Sequence, residues 1–107
     1  MPQNDTTLHI AEIPYETGEV RFRYSRFMSD DRTRWIRHGV FCEYQPNGQI
    51  KSEGAFEFGL EHGVWRDYHE NGQLAAEGEY LRGQEMGVWR FWDADGNEEA
   101  PTDYGNP

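Results

Sequence analysis

From Gly39 onward the chain repeats itself every 24 residues, a period that commits it to stacked copies of one small supersecondary unit. Gly39, Gly63 and Gly87 keep the interval, as do Val40, Val64 and Val88, then Phe41, Trp65 and Trp89, then Tyr44, Tyr68 and Trp92. Each copy runs into a turn dipeptide: Asn47-Gly48, Asn71-Gly72 and Asp95-Gly96. Such a pair between alternating apolar residues signals a hairpin, because these residue types tolerate the left-handed backbone that tight turns demand. The second arm recurs too, Glu53-Gly54 matching Glu77-Gly78, Phe56 matching Tyr80 and Gly59 matching Gly83.

Alternation within the arms is that of half-buried strands. Val40, Cys42 and Tyr44 share one side, Phe41 and Glu43 the other; in the second arm Ile50, Ser52, Gly54, Phe56 and Phe58 alternate with Lys51, Glu53 and Glu57. A three-residue loop, Pro46-Asn47-Gly48, built as a type I turn with Gly48 left-handed, pairs Tyr44 with Ile50 and aligns the apolar sides. A two-residue loop would pair Tyr44 with Lys51 and mix them. The same arithmetic pairs Tyr68 with Leu74. Carried across the connection from Gly59 to Gly63, it sets Phe58 opposite Val64, Gly54 opposite Tyr68 and Gly78 opposite Trp92, so that each ring covers a strand glycine. The expected fold is all-β, a single-layer antiparallel up-and-down meander of β-hairpin repeats with one apolar and one acidic face. Residues 39–100 form the array and 101–107 a tail. Residues 1–38 hold a degenerate capping repeat, with Tyr15, Gly18, Val20, Phe22 and Tyr24 as a shortened turn and second arm; a short helix capped by Ser29 is the alternative.

Charge narrows the partners. The net charge is −10, and residues 39–100 carry four basic against thirteen acidic groups, whereas residues 1–38 hold six of each. An acidic array suits neither a phosphate backbone nor an anionic membrane, both of which need a basic face. It suits a cationic partner. Cys42 is the only cysteine, which excludes an internal disulfide and points to a reducing, cytoplasmic setting. No stretch approaches the ~20 apolar residues of a membrane span, and Met1 to Gly18 lack a signal-peptide pattern.

The run Gly63, Trp65, Tyr68, Asn71, Gly72, Glu77, Tyr80 and Gly83, with flanking copies at 39–59 and 87–96, resembles the MORN repeat variant of bacterial proteins. Phe41 for Trp and Trp92 for Tyr depart from its pattern. The resemblance implies MORN-type hairpins and a binding module rather than an enzyme; family members are often antitoxin-like components, and other MORN arrays are protein-binding or lipid-associated scaffolds.

Candidate binding residues follow from the alternation. Phe41, Trp65 and Trp89 fall on the side away from the valines, one repeat apart, with Phe91 extending the stripe and Glu43, Glu53, Asp67, Glu77 and Glu79 around it. Rings among carboxylates recognise Arg and Lys through cation–π contact and ion pairing. The opposing interpretation is a second small core, or burial in a homodimer. No catalytic residue, metal site or cofactor is expected: His38 and His62, about 10 Å apart across two strand spacings, cannot share a metal, and Cys42 has no partnering base. The expected function is a non-enzymatic acidic module that blocks a basic protein, a toxin, nuclease or effector, in the manner of antitoxins and immunity proteins. The alternatives are a homo-oligomeric scaffold and an inhibitor that mimics nucleic-acid charge.

Overall fold

In the computed structural model, which describes residues 7–106, each turn dipeptide closes a three-residue loop. Gly48, Gly72 and Gly96 take φ of 89, 89 and 90°. Their N–H groups donate to the carbonyls of Gln45, His69 and Asp93 at 2.8, 2.9 and 3.0 Å. Asn47 and Asn71 accept from the N–H groups of Gln49 and Gln73 at 2.9 and 3.0 Å, so the side chain organises the corner. A fourth copy of the loop lies at Tyr15–Glu19, where Gly18 donates to Tyr15. Tyr44 pairs with Ile50 and Tyr68 with Leu74, as the type I turn requires.

Nine strands result among the described residues: β1 (His9–Pro14), β2 (Val20–Met28), β3 (Trp35–Tyr44), β4 (Ile50–Glu57), β5 (Leu60–Glu61), β6 (Gly63–Tyr68), β7 (Leu74–Leu81), β8 (Gln84–Phe91) and β9 (Thr102–Asp103). They form one open antiparallel sheet in the order β1-β2-β3-β4-β6-β7-β8-β9, with β5 folding back on β4, and no helix occurs among the described residues. The slab measures 56 × 41 × 15 Å. Its radius of gyration, 16.1 Å, exceeds the ~13 Å of a compact chain this long because no second layer covers the sheet. Among the described residues the buried apolar ones are accordingly few: Ala11, Ala76 and Trp89.

The order of strands is the expected meander, but the register corrects the sorting of side chains. Next to each turn the second strand carries an extra residue: Tyr44 pairs with Ile50, yet Glu43 pairs with Ser52 and Phe41 with Gly54. One inserted residue exchanges the two sides of a strand. Phe56 therefore joins Phe41 rather than Val40. The connection to the next unit also differs from the expected one. Phe58 and Gly59 form a two-residue turn with φ of 49 and 88°, and Leu60 pairs back on Glu57. Two further residues are then inserted at Gly63, whose φ is 80°, before Arg66 meets Glu53. Gly54 thus faces Trp65, not Tyr68, and by the same geometry Gly78 faces Trp89, not Trp92. A Cβ built on either glycine would overlap the indole. The left-handed glycine and the tryptophan two residues on therefore have one purpose: the bulge aims an indole at a glycine on the neighbouring strand.

Both ends of the chain extend the sheet. β1 and β2 form a hairpin that pairs with β3. Residues 29–34 are a turn rather than a capped helix, with the Ser29 hydroxyl accepting from the Thr33 and Arg34 N–H groups at 3.3 Å. Hydrogen bonds from Ser29 and Thr33 hold the Asp31 carboxyl down at about 2. In place of the expected tail, Thr102 and Asp103 pair with Trp89 and Val88.

Candidate binding face

Rings fill one side of the slab. Phe22 and Tyr24 reach Phe41 at centroid distances of 5.9 and 6.1 Å. Phe41, Phe56 and Trp65 form a triangle of 5.3 to 5.5 Å. Trp65 meets Tyr80 at 5.9 Å, Tyr80 meets Trp89 at 5.1 Å and Trp89 meets Tyr104 at 6.4 Å, all edge to face. Edge-to-face contact is the favourable geometry for ring quadrupoles, and it lets a single layer keep large apolar groups ordered without a covering layer. The indole N–H groups are satisfied locally, Trp65 donating to the Ala55 carbonyl at 3.0 Å and Trp89 to that of Glu79 at 3.2 Å. Trp89 is 7% exposed, so it is more core than contact surface; Phe41, Trp65 and Phe91 are half-buried.

The first unit shows why glycine recurs. Tyr24 stands opposite Phe41 where Gly54 stands opposite Trp65. The smaller ring leaves room for a side chain beneath it, and the larger one does not.

The expected acidic residues divide between the two sides. Glu43 and Asp67 lie on the ring face, Asp67 accepting from the Ser52 hydroxyl at 2.6 Å. Glu43 is tied to Arg21 at 3.3 Å and to Lys51 at 3.9 Å. Glu53, Glu77 and Glu79 instead point to the opposite face, with the valines. There, directly paired positions run Glu12, Arg23, Cys42, Glu53, Arg66, Glu77 and Arg90 across the sheet, a ladder of nearly alternating charge. Arg23 binds Glu12 at 2.7 Å and Arg66 binds Glu77 at 2.6 Å. Tyr68 donates to Glu53 at 2.6 Å, and burial together with that bond pushes its hydroxyl up to about 12. Trp65 and Tyr68 project to opposite sides, as expected; the carboxylates Glu53 and Glu77 go with the tyrosine because the bulge beside the turn moved them. Val40, Val64 and Val88 stand exposed on this face at 66, 48 and 54%.

Two carboxylates missed by the sequence reasoning take the vacated role. Glu61 pairs with Phe56 and Glu85 with Tyr80, which puts both on the ring face. Tyr80 has its hydroxyl pushed up, chiefly by burial and then by the charges of Glu85, Glu61 and Asp67 around it. Burial and the neighbouring Glu85 raise Tyr104 in the same sense. Among the described residues no Lys, Arg or His lies within ion-pair distance of Glu61, Asp67 or Glu85. The 24-residue interval links Glu61 to Glu85 and was the signal available in the sequence.

The histidines stay apart. His38 accepts the Phe58 N–H on Nδ1 at 3.0 Å, His62 lies 3.3 Å from Glu57 and His69 is 2.7 Å from the Trp92 carbonyl. Among the described residues no group of His, Cys, Asp and Glu is arranged to hold a metal ion. Cys42 sits between Arg23 and Glu53, and burial pushes its thiol up, away from reactive thiolate.

Residues 37–57 and 61–81 match the MORN repeat variant. MORN repeats are in general protein- or membrane-binding modules, which is compatible with a non-enzymatic binding role for these hairpins. No match to the chain was found among curated proteins or among solved structures. Among the described residues no helix is long and apolar enough to cross a membrane.

Proposed function

We propose that this protein is a non-enzymatic binding module that takes a basic partner protein on its ring face. One observation carries the proposal: on the ring face that bears Asp67, Glu61 is paired with Phe56 and Glu85 with Tyr80, and among the described residues no cation lies within ion-pair distance of the three carboxylates. Carboxylates beside ring edges and faces favour Arg and Lys by ion pairing and cation–π attraction together. The partner is a toxin, nuclease or other basic effector, masked as antitoxins and immunity proteins mask theirs, and the half-buried single thiol suits a cytoplasmic setting.

The test is neutralisation rather than removal of the indoles, which hold the sheet together. Glu61→Gln, Asp67→Asn and Glu85→Gln combined should leave the circular dichroism unchanged. The wild-type protein should bind a deca-arginine peptide with a change in tryptophan emission, and the triple variant should not. Equal binding by both proteins would remove the proposal. A second reading, a homo-oligomeric scaffold, is favoured by the exposed valine row on the ladder face. Light scattering across concentration separates the two, since a scaffold self-associates without a partner.

A further inference from the structure

Within the ring face the chain carries its own example of a bound cation. The Arg37 guanidinium lies 5.2 Å from the centroid of Tyr24 and 5.5 Å from that of Phe56, a cation–π arrangement on both rings. Arg37, Glu61 and Glu85 are separated by one repeat each. The first unit therefore supplies a cation to its rings, and the next two present a carboxylate at the equivalent place, beside Phe56 and Tyr80. The row that Arg37 begins is continued by two positions of opposite charge.

The spacing of those positions limits what fills them. One repeat is two strands, and strands lie 4.7–4.9 Å apart, so Glu61 and Glu85 are set about 9.5 Å apart across the sheet. A ligand strand places same-side residues at about 6.7 or 13 Å, which misses this interval. A polyproline-II segment rises about 3.1 Å per residue with three residues per turn, so every third side chain returns to the same side after about 9.3 Å. Its backbone forms no internal hydrogen bonds and stays hydrated on the outer side, and its preset conformation lowers the ordering cost of lying on an open face. Half-buried rings such as Phe56 and Tyr80 also suit the flat sides of prolines.

We propose that the ring face binds a proline-rich segment of a basic partner in polyproline-II conformation, with arginines three residues apart placed at Glu61 and Glu85 in register with Arg37. This rests on the function proposed above and names its ligand.

The experiment compares three probes of equal length and charge by titration calorimetry: a proline-rich peptide with Arg-Pro-Pro-Arg spacing, a proline-free peptide with its arginines at alternate residues, and an alanine-based helical peptide with arginines seven apart. The first should bind the wild-type protein most tightly, and Glu61→Gln with Glu85→Gln should weaken it roughly tenfold. Arg37→Glu should add a third position. It should raise the affinity for a three-arginine proline-rich peptide with the same spacing more than it raises that for the two-arginine peptide. Equal binding of all three probes, with all weakened by neutralisation, would overturn the spacing inference and leave the basic-partner function standing. Preference for the helical peptide would overturn it likewise. Binding of none, or binding indifferent to neutralisation, would overturn both.

Discussion

Replacing Gly54 by alanine isolates the physics that joins one repeat to the next. Gly54 is not left-handed, so its backbone accepts alanine, and in an ordinary strand the change would stabilise by about 0.5–1 kcal/mol through the lost entropy of glycine. Here the new methyl would fall inside the Trp65 indole. The indole cannot rotate freely aside, because Phe41, Phe56 and Tyr80 surround it at 5.3 to 5.9 Å. Overpacking of this kind costs about 1–3 kcal/mol, so the net effect should be a loss of about 1–2 kcal/mol, larger for Gly78→Ala because Trp89 is the more buried ring. For a domain of this size that lowers the melting temperature by roughly 4–8 °C per kcal/mol. Urea unfolding followed by tryptophan emission measures it. Adding Trp65→Phe should recover part of the loss by recreating the Tyr24 and Phe41 solution of the first unit. A Gly54→Ala protein as stable as wild type, or more so, would refute indole-over-glycine packing.

Two further outcomes test other parts of the sheet. The Tyr68 hydroxyl ionises near 12 in the fold against 10.0 ordinarily, so the unfolded chain releases its proton first as pH rises. Stability from this group is intact below pH 10 and lost between 10 and 12; Tyr68→Phe should flatten that part of a urea-midpoint profile, and an unchanged slope would count against the Tyr68–Glu53 bond. Truncation after Ala100 removes β9 and the Tyr104 ring from Trp89, together with the Gly87–Gly105 backbone bond of 2.7 Å. It should shift tryptophan emission to the red and cost about 1–2 kcal/mol; an unshifted spectrum would mean that Tyr104 does not cover the indole.

Local chemistry was legible in the sequence. The 24-residue period, the turn dipeptides and the strand alternation led to a single-layer meander and to the pairs Tyr44–Ile50 and Tyr68–Leu74, because turn geometry depends on a few adjacent residues whose φ preferences are intrinsic. The opposite projection of Trp65 and Tyr68 followed from the same period. What lies on each face did not. A single inserted residue beside the turn exchanges the sides of a strand without altering its composition, so Phe56 moved to the indoles while Glu53 and Glu77 moved to the valines and arginines.

The repeat thus encodes the unit, its turns and its stacking into one ribbon, since these are set within a span of a few residues. That Trp65 and Trp89 cover glycines, and that Glu61 and Glu85 rather than Glu53 and Glu77 flank the rings, is settled by how the strands assemble. Bulge positions arise from competition between strand pairing and the fit of large rings on a neighbouring strand, and that competition is resolved only when the strands meet.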